Sequence, residues 1–123
     1  MVADGLLVFS KAESLFYRIY PSLINYPRGE KYSTVAAIKD NFIGFLTRIN
    51  QANSVKSKRI MYLQEADACL QTLKMLFRLS VNKKFIKQAF YEDISESLTE
   101  VNKLLVGYFK ASSNKDYKSN FSK

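Results

Sequence analysis

The chain has 123 residues, with 19 Lys+Arg against 11 Asp+Glu, a formal net charge of +8 at pH 7 and 47% hydrophobic residues. The length fits one domain, and the apolar fraction excludes an intrinsically disordered chain. Four Gly and two Pro are too few for the frequent turns of a sandwich or barrel. The lack of His removes the usual general base and the commonest zinc ligand, and the single cysteine, Cys69, excludes an internal disulfide and a thiolate metal cluster.

No segment reaches the roughly 18 consecutive apolar residues of a membrane span. The apolar run Gly5–Leu6–Leu7–Val8–Phe9 has neither a basic stretch before it nor a small-residue cleavage site after it, unlike a signal peptide. A cytoplasmic protein with no membrane partner is expected, and one cysteine fits that reducing compartment. A pI near 9.6 points to a polyanion as partner, against general solubility as the plainer explanation.

In chain order, the spacing predicts a first helix from Ser10, where Ser10 and Glu13 have the separation of a capping box. Leu15, Ile19 and Leu23, with Phe16, Tyr20 and Ile24, form two i,i+4 rows facing inward. Pro21 falls inside this pattern and should kink or end the helix. Pro27-Arg28-Gly29 is the first clear turn. A second helix over 30–52 turns Val35, Ile38, Phe42, Phe45 and Ile49 inward and leaves Asp40, Gly44, Thr47 and Arg48 outside. A third over 57–81 carries the stripe Leu63, Ala66, Leu70, Leu73, Phe77, with Lys83 and Lys84 at its C-terminal end. A fourth over 88–111 buries Ile94, Leu98, Val101, Leu105 and Tyr108, with Glu92 and Asp93 in its first turn. Links this short specify an all-α, antiparallel up-down four-helix bundle. It forms a single domain over residues 1–111, followed by a flexible basic tail over 112–123.

The third helix has a second apolar stripe. Met61, Ala68, Met75, Leu76 and Leu79 lie about 100–170° around from the first. This marks Met61, Met75, Leu76 and Leu79 as a candidate subunit interface, the alternative being a central helix buried by the other three. Lys74 and Arg78 are i,i+4 neighbours between the two stripes. They suit a phosphate or a partner's carboxylate, or else an internal ion pair with Asp67 or the fourth helix. Residues 56–87 hold eight basic and two acidic side chains, a net of +6. Both ends of this helix are strongly positive, with Lys58 and Arg59 at its start, and Arg28 and Lys31 add to one of the two ends if the bundle is antiparallel. Tyr32 and Tyr62 are candidate stacking surfaces nearby, so the pattern fits a nucleic acid.

Catalysis has little support. There is no nucleophile elbow and no phosphate-cradling Gly loop. The carboxylates Glu92, Asp93, Glu96 and Glu100 read as a solvated helix face, with a small carboxylate enzyme as the alternative. No metal or cofactor is expected. Cys69, mid-helix, reads as a packing residue.

Three stretches carry a resemblance. Tyr26-Pro27-Arg28-Gly29-Glu30-Lys31-Tyr32 opens the second helix. Leu63-Gln64-Glu65-Ala66-Asp67-Ala68-Cys69-Leu70, followed by Leu73-Lys74-Met75-Leu76-Phe77-Arg78-Leu79, fills the third. Tyr91 and Leu98-Thr99-Glu100-Val101-Asn102-Lys103-Leu104-Leu105-Val106-Gly107-Tyr108-Phe109-Lys110 belong to the fourth. Together, over about residues 6–111, the chain resembles the Avd family, the accessory variability determinants of diversity-generating retroelements.

The resemblance implies a four-helix protein that assembles as a pentameric ring. It would bind the element's reverse transcriptase and template RNA, and an RNA/cDNA hybrid, through a basic surface, without being the enzyme itself. Family basic positions fall on Lys74 and Arg78. The family often has Gly-Trp where this chain has Gly107-Tyr108, and Lys74 stands at an Arg-type position, which removes bidentate geometry. The four-helix proteins encoded within rRNA intervening sequences share the fold and are the runner-up, although their characteristic segment is not obvious in residues 47–55. A helical interaction module acting without nucleic acid is a further alternative.

Overall fold

The computed structural model describes the backbone of residues 2–122 and the side chains of residues 4–113. It contains four helices: α1 (Val2–Ile19), α2 (Thr34–Ser54), α3 (Arg59–Asn82) and α4 (Gln88–Ser122). Among the described residues there is no strand. Most of the tail expected over 112–123 falls outside the described side chains, while the backbone of α4 continues to Ser122. Ser112 itself is buried on that helix.

α1 starts well before Ser10, which is an exposed mid-helix residue, so Ser10 and Glu13 form no capping box. The short apolar run is itself helical. Val8, fully buried, begins the stripe that Ala12, Leu15 and Ile19 continue at spacings of 3 and 4. At Tyr20 the chain tightens into a 3₁₀ segment, Tyr20–Asn25, with Pro21 in its first turn, where no donor is required. A tighter winding shifts the phase of every later side chain. Leu23 stays buried, but Tyr20 is half-exposed and Ile24 is 86% exposed, so the expected inward row Phe16–Tyr20–Ile24 breaks after Phe16.

A second 3₁₀ turn, Arg28–Glu30, follows Pro27. The Glu30 carboxylate accepts protons from Ser33 Oγ at 3.2 Å and Thr34 Oγ1 at 2.5 Å. α2 therefore starts at Thr34 rather than at Glu30. Between α3 and α4, Lys84 takes a left-handed backbone (φ 65°) and Phe85 N–H reaches back to the Ser80 carbonyl at 2.8 Å. This is a Schellman-type stop with a lysine in the place glycine usually fills.

Each helix packs on its sequence neighbours, and α1 also packs on α4. Cross-helix pairs fix the directions. Lys11 pairs with Glu100 and Arg18 with Asp93, so α1 and α4 are antiparallel. Arg48 pairs with Glu65, while Phe42 meets Phe77 edge-on at 6.4 Å, so α2 and α3 are too. The bundle is up-down-up-down. Its core includes Phe16 stacked on Phe42 at 4.7 Å, the whole expected stripes of α2 and α3, and Ile94, Leu98, Val101, Leu105 and Tyr108 of α4.

Candidate nucleic-acid interface

The strip of α3 that carries Lys74 and Arg78 borders the groove against α4. A cleft of about 140 Å³ lies there, with Lys74 and Arg78 on one wall and Tyr91, Ser95 and Thr99 on the other. Arg78 is exposed and Lys74 half-buried. Among the described residues neither makes an ion pair. Asp67 instead accepts a proton from Gln71 Nε2 at 3.0 Å, and the α4 carboxylates Asp93 and Glu100 face the cations of α1. The internal ion pair considered from the sequence is therefore not formed. Two adjacent cations and a hydroxyl-bearing wall offer charge-assisted hydrogen bonds to an oxyanion. The same pairing accounts for two of the four α4 carboxylates, which neutralise Lys11 and Arg18.

The other basic candidates divide. Arg28 and Lys31 are exposed at the corner where the 3₁₀ segments meet, and Lys58 is exposed at the opposite end of the bundle. Arg59 is buried, contrary to its expected role in binding. Its Nε donates to the Ala52 carbonyl at 2.8 Å and its guanidinium lies 5.6 Å from the centre of the Tyr108 ring. It braces the α2–α3 turn from inside. The six basic residues thus occupy two ends and one side groove rather than one patch. Tyr32 is 86% exposed, whereas Tyr62 is half-buried and packs against the core. Sequence reasoning missed Lys39, whose ammonium lies 4.8 Å from the centre of the Tyr20 ring. Its neighbours in the helical pattern are core residues, and only the 3₁₀ shift brings Tyr20 out beside it.

The second stripe of α3 also divides. Met61, Ala68 and Met75 are exposed and Leu79 is half-buried, but Leu76 is 5% exposed within the chain's own core. Leu76 is therefore no part of an exposed interface. Because α3 packs on both α2 and α4, its buried arc is wide and takes in Leu76 and Ser80 beside Leu73 and Phe77. Cys69 is half-buried, and burial pushes its thiol up from the ordinary value, as suits a packing residue.

A family model described as bAvd-like matches residues 6–112, which hold nearly all of the four-helix core. The chain belongs to the bAvd-like family. A solved structure from Bacteroides thetaiotaomicron VPI-5482 is similar to this bAvd-like chain. It is described as a protein of unknown function from the S23 ribosomal protein family. The two share 21% identity with a TM-score of 0.77, covering 87% of this chain and 98% of that one. At that identity the likeness shows a shared fold. The comparison with curated proteins gives no match.

Proposed function

We propose that this bAvd-like chain is a non-enzymatic accessory protein of a diversity-generating retroelement. Copies assemble as a ring-like pentamer in the cytoplasm. The ring binds the element's reverse transcriptase and its template RNA, or the RNA/cDNA hybrid made from it, and supports error-prone cDNA synthesis. The observation that supports this reading is the cleft of Lys74 and Arg78, two cations on one face of α3 with no internal acid to neutralise them among the described residues.

Each cleft offers one or two phosphate contacts, and each contact releases condensed counterions. A single such site binds weakly. Repetition around a ring turns later contacts into intramolecular ones, so affinity rises without a deep pocket in any one copy. Arg28, Lys31 and Lys58 add cationic reach at the two ends. Met61, Met75 and Leu79 supply the apolar strip between copies, with Ala68 allowing close approach.

The test is co-expression of the tagged chain with the reverse transcriptase and template RNA of such an element, followed by capture. Retention of both polymerase and RNA, lost together in Lys74→Glu/Arg78→Glu, supports the reading. Capture of neither contradicts it. Capture of a protein partner insensitive to nuclease and without RNA assigns a nucleic-acid-independent interaction module.

A further inference from the structure

We propose that the corner formed by the two 3₁₀ segments is a docking site for an unpaired nucleotide of single-stranded RNA, the base resting on an aromatic and aliphatic floor and the flanking phosphates held by lysine and arginine. This rests on the nucleic-acid part of the function above and narrows it to strand form and place. The corner is a cleft of about 400 Å³. Leu23, Ile24, Pro27 and Val35 supply its apolar surface, and Arg28, Lys31 and Lys39 its charge. Among the described residues no carboxylate lines it. The nearest acid in sequence, Glu30, is engaged by the hydroxyls of Ser33 and Thr34.

Tyr20, 49% exposed, and Ile24, 86% exposed, line the cleft, while Tyr32, 86% exposed, lies outside its lining and next in sequence to Lys31, which lines it. Both tyrosines already present a face to a cation. The Lys39 ammonium lies 4.8 Å from the Tyr20 centroid, and the Lys31 ammonium 5.4 Å from that of Tyr32. A base stacking on either ring takes up the same face and leaves the lysine to the adjacent phosphate.

Charge and shape together select the occupant. Three cations without a lining acid call for an anion. The apolar floor calls for a flat or greasy group attached to that anion. A duplex offers phosphates but keeps its bases stacked inside, out of reach of the floor. An acidic peptide satisfies the lysines but has no planar group for the two rings. A single strand supplies both in alternation, the arrangement of a stacking platform beside an electrostatic track.

The experiment uses the full chain and two fluorescein-labelled probes, an oligouridylate and a blunt RNA duplex of equal length. Tyr20→Leu/Tyr32→Ala removes both rings while leaving an apolar contact for Phe16, which meets Tyr20 edge-on. The expected result is a loss of about 5–50-fold in affinity for the oligouridylate with affinity for the duplex unchanged. Equal losses on both probes, or none on the oligouridylate, overturn the proposal and leave the nucleic-acid reading intact. Wild-type protein that binds neither probe overturns that reading itself. Polyglutamate that binds as tightly as oligouridylate, with the same sensitivity to the two substitutions, assigns the corner to acidic proteins and overturns the proposal.

Discussion

Tyr108 donates its phenolic proton to Asn53 Oδ1 at 2.6 Å, tying α4 to the last turn of α2. The same ring carries the Arg59 guanidinium, and Arg59 in turn holds the Ala52 carbonyl. One end of the bundle is thus closed by three residues from three helices. Gly5 of α1 completes it, because a Cβ on Gly5 would fall inside the Asn53 side-chain amide.

This closure predicts unequal costs. Tyr108→Phe removes one hydrogen bond and should lower stability by about 1 kcal/mol. Arg59→Ala leaves the Ala52 carbonyl without that donor and opens space beneath Tyr108, and should lower stability by about 2–3 kcal/mol. Gly5→Ala should cost about 1–3 kcal/mol through overpacking, since Asn53 is held by Tyr108 and cannot swing away freely. Urea unfolding monitored by circular dichroism measures all three. An Arg59→Ala protein as stable as wild type would return Arg59 to the set of free surface cations.

The division of the second α3 stripe gives a second prediction. In the ring proposed above, Met61→Glu/Met75→Glu should shift the mass in light scattering toward monomer while leaving thermal stability of the separated chain nearly unchanged. Leu76→Ala should do the reverse, lowering stability by about 2–5 kcal/mol as a core truncation without a selective effect on assembly. If Leu76→Ala lowered the mass of that proposed assembly at unchanged stability, the placement of Leu76 in the core would be wrong.

Two buried phenols contribute to the pH dependence above pH 10. Burial pushes Tyr26 up from its ordinary 10.0, partly offset by its hydrogen bond to Ser80 at 2.8 Å. Burial also pushes Tyr108 up, partly offset by the nearby Arg59 guanidinium. In both the fold favours the neutral form, so the stabilisation is complete below pH 10 and is lost as pH climbs through 10 toward the raised folded values. Thermal melts from pH 8 to pH 11 should fall most steeply above pH 10, and Tyr26→Phe should flatten that fall. An identical slope in the variant would exclude Tyr26 as a source.

Where helical period alone decides side-chain direction, the sequence was legible. Val35, Ile38, Phe42, Phe45 and Ile49 are all buried because α2 keeps one unbroken phase. Ile24 was not, because a change from α to 3₁₀ winding at Tyr20 resets the phase, and Pro21 signals a break without giving its geometry. Arg59 sits in a basic cluster that reads as solvated. Its burial depends on a carbonyl across a turn and a ring on α4, neither of which local pattern reveals. The Lys74–Arg78 site was legible as a spacing. That it has no acid partner among the described residues depends on α4 turning Asp93 and Glu100 toward α1, a choice set by the packing of all four helices.

Lys74 and Arg78 are the most direct point of test for phosphate recognition. Fluorescence anisotropy with the template RNA from about 50 to 200 mM salt should show affinity falling steeply for the wild type. Lys74→Ala/Arg78→Ala should bind more weakly at every salt concentration, with the log–log slope reduced by about 1–2 and the circular dichroism spectrum unchanged. Equal affinity and equal slope in the two proteins would contradict phosphate binding at this cleft.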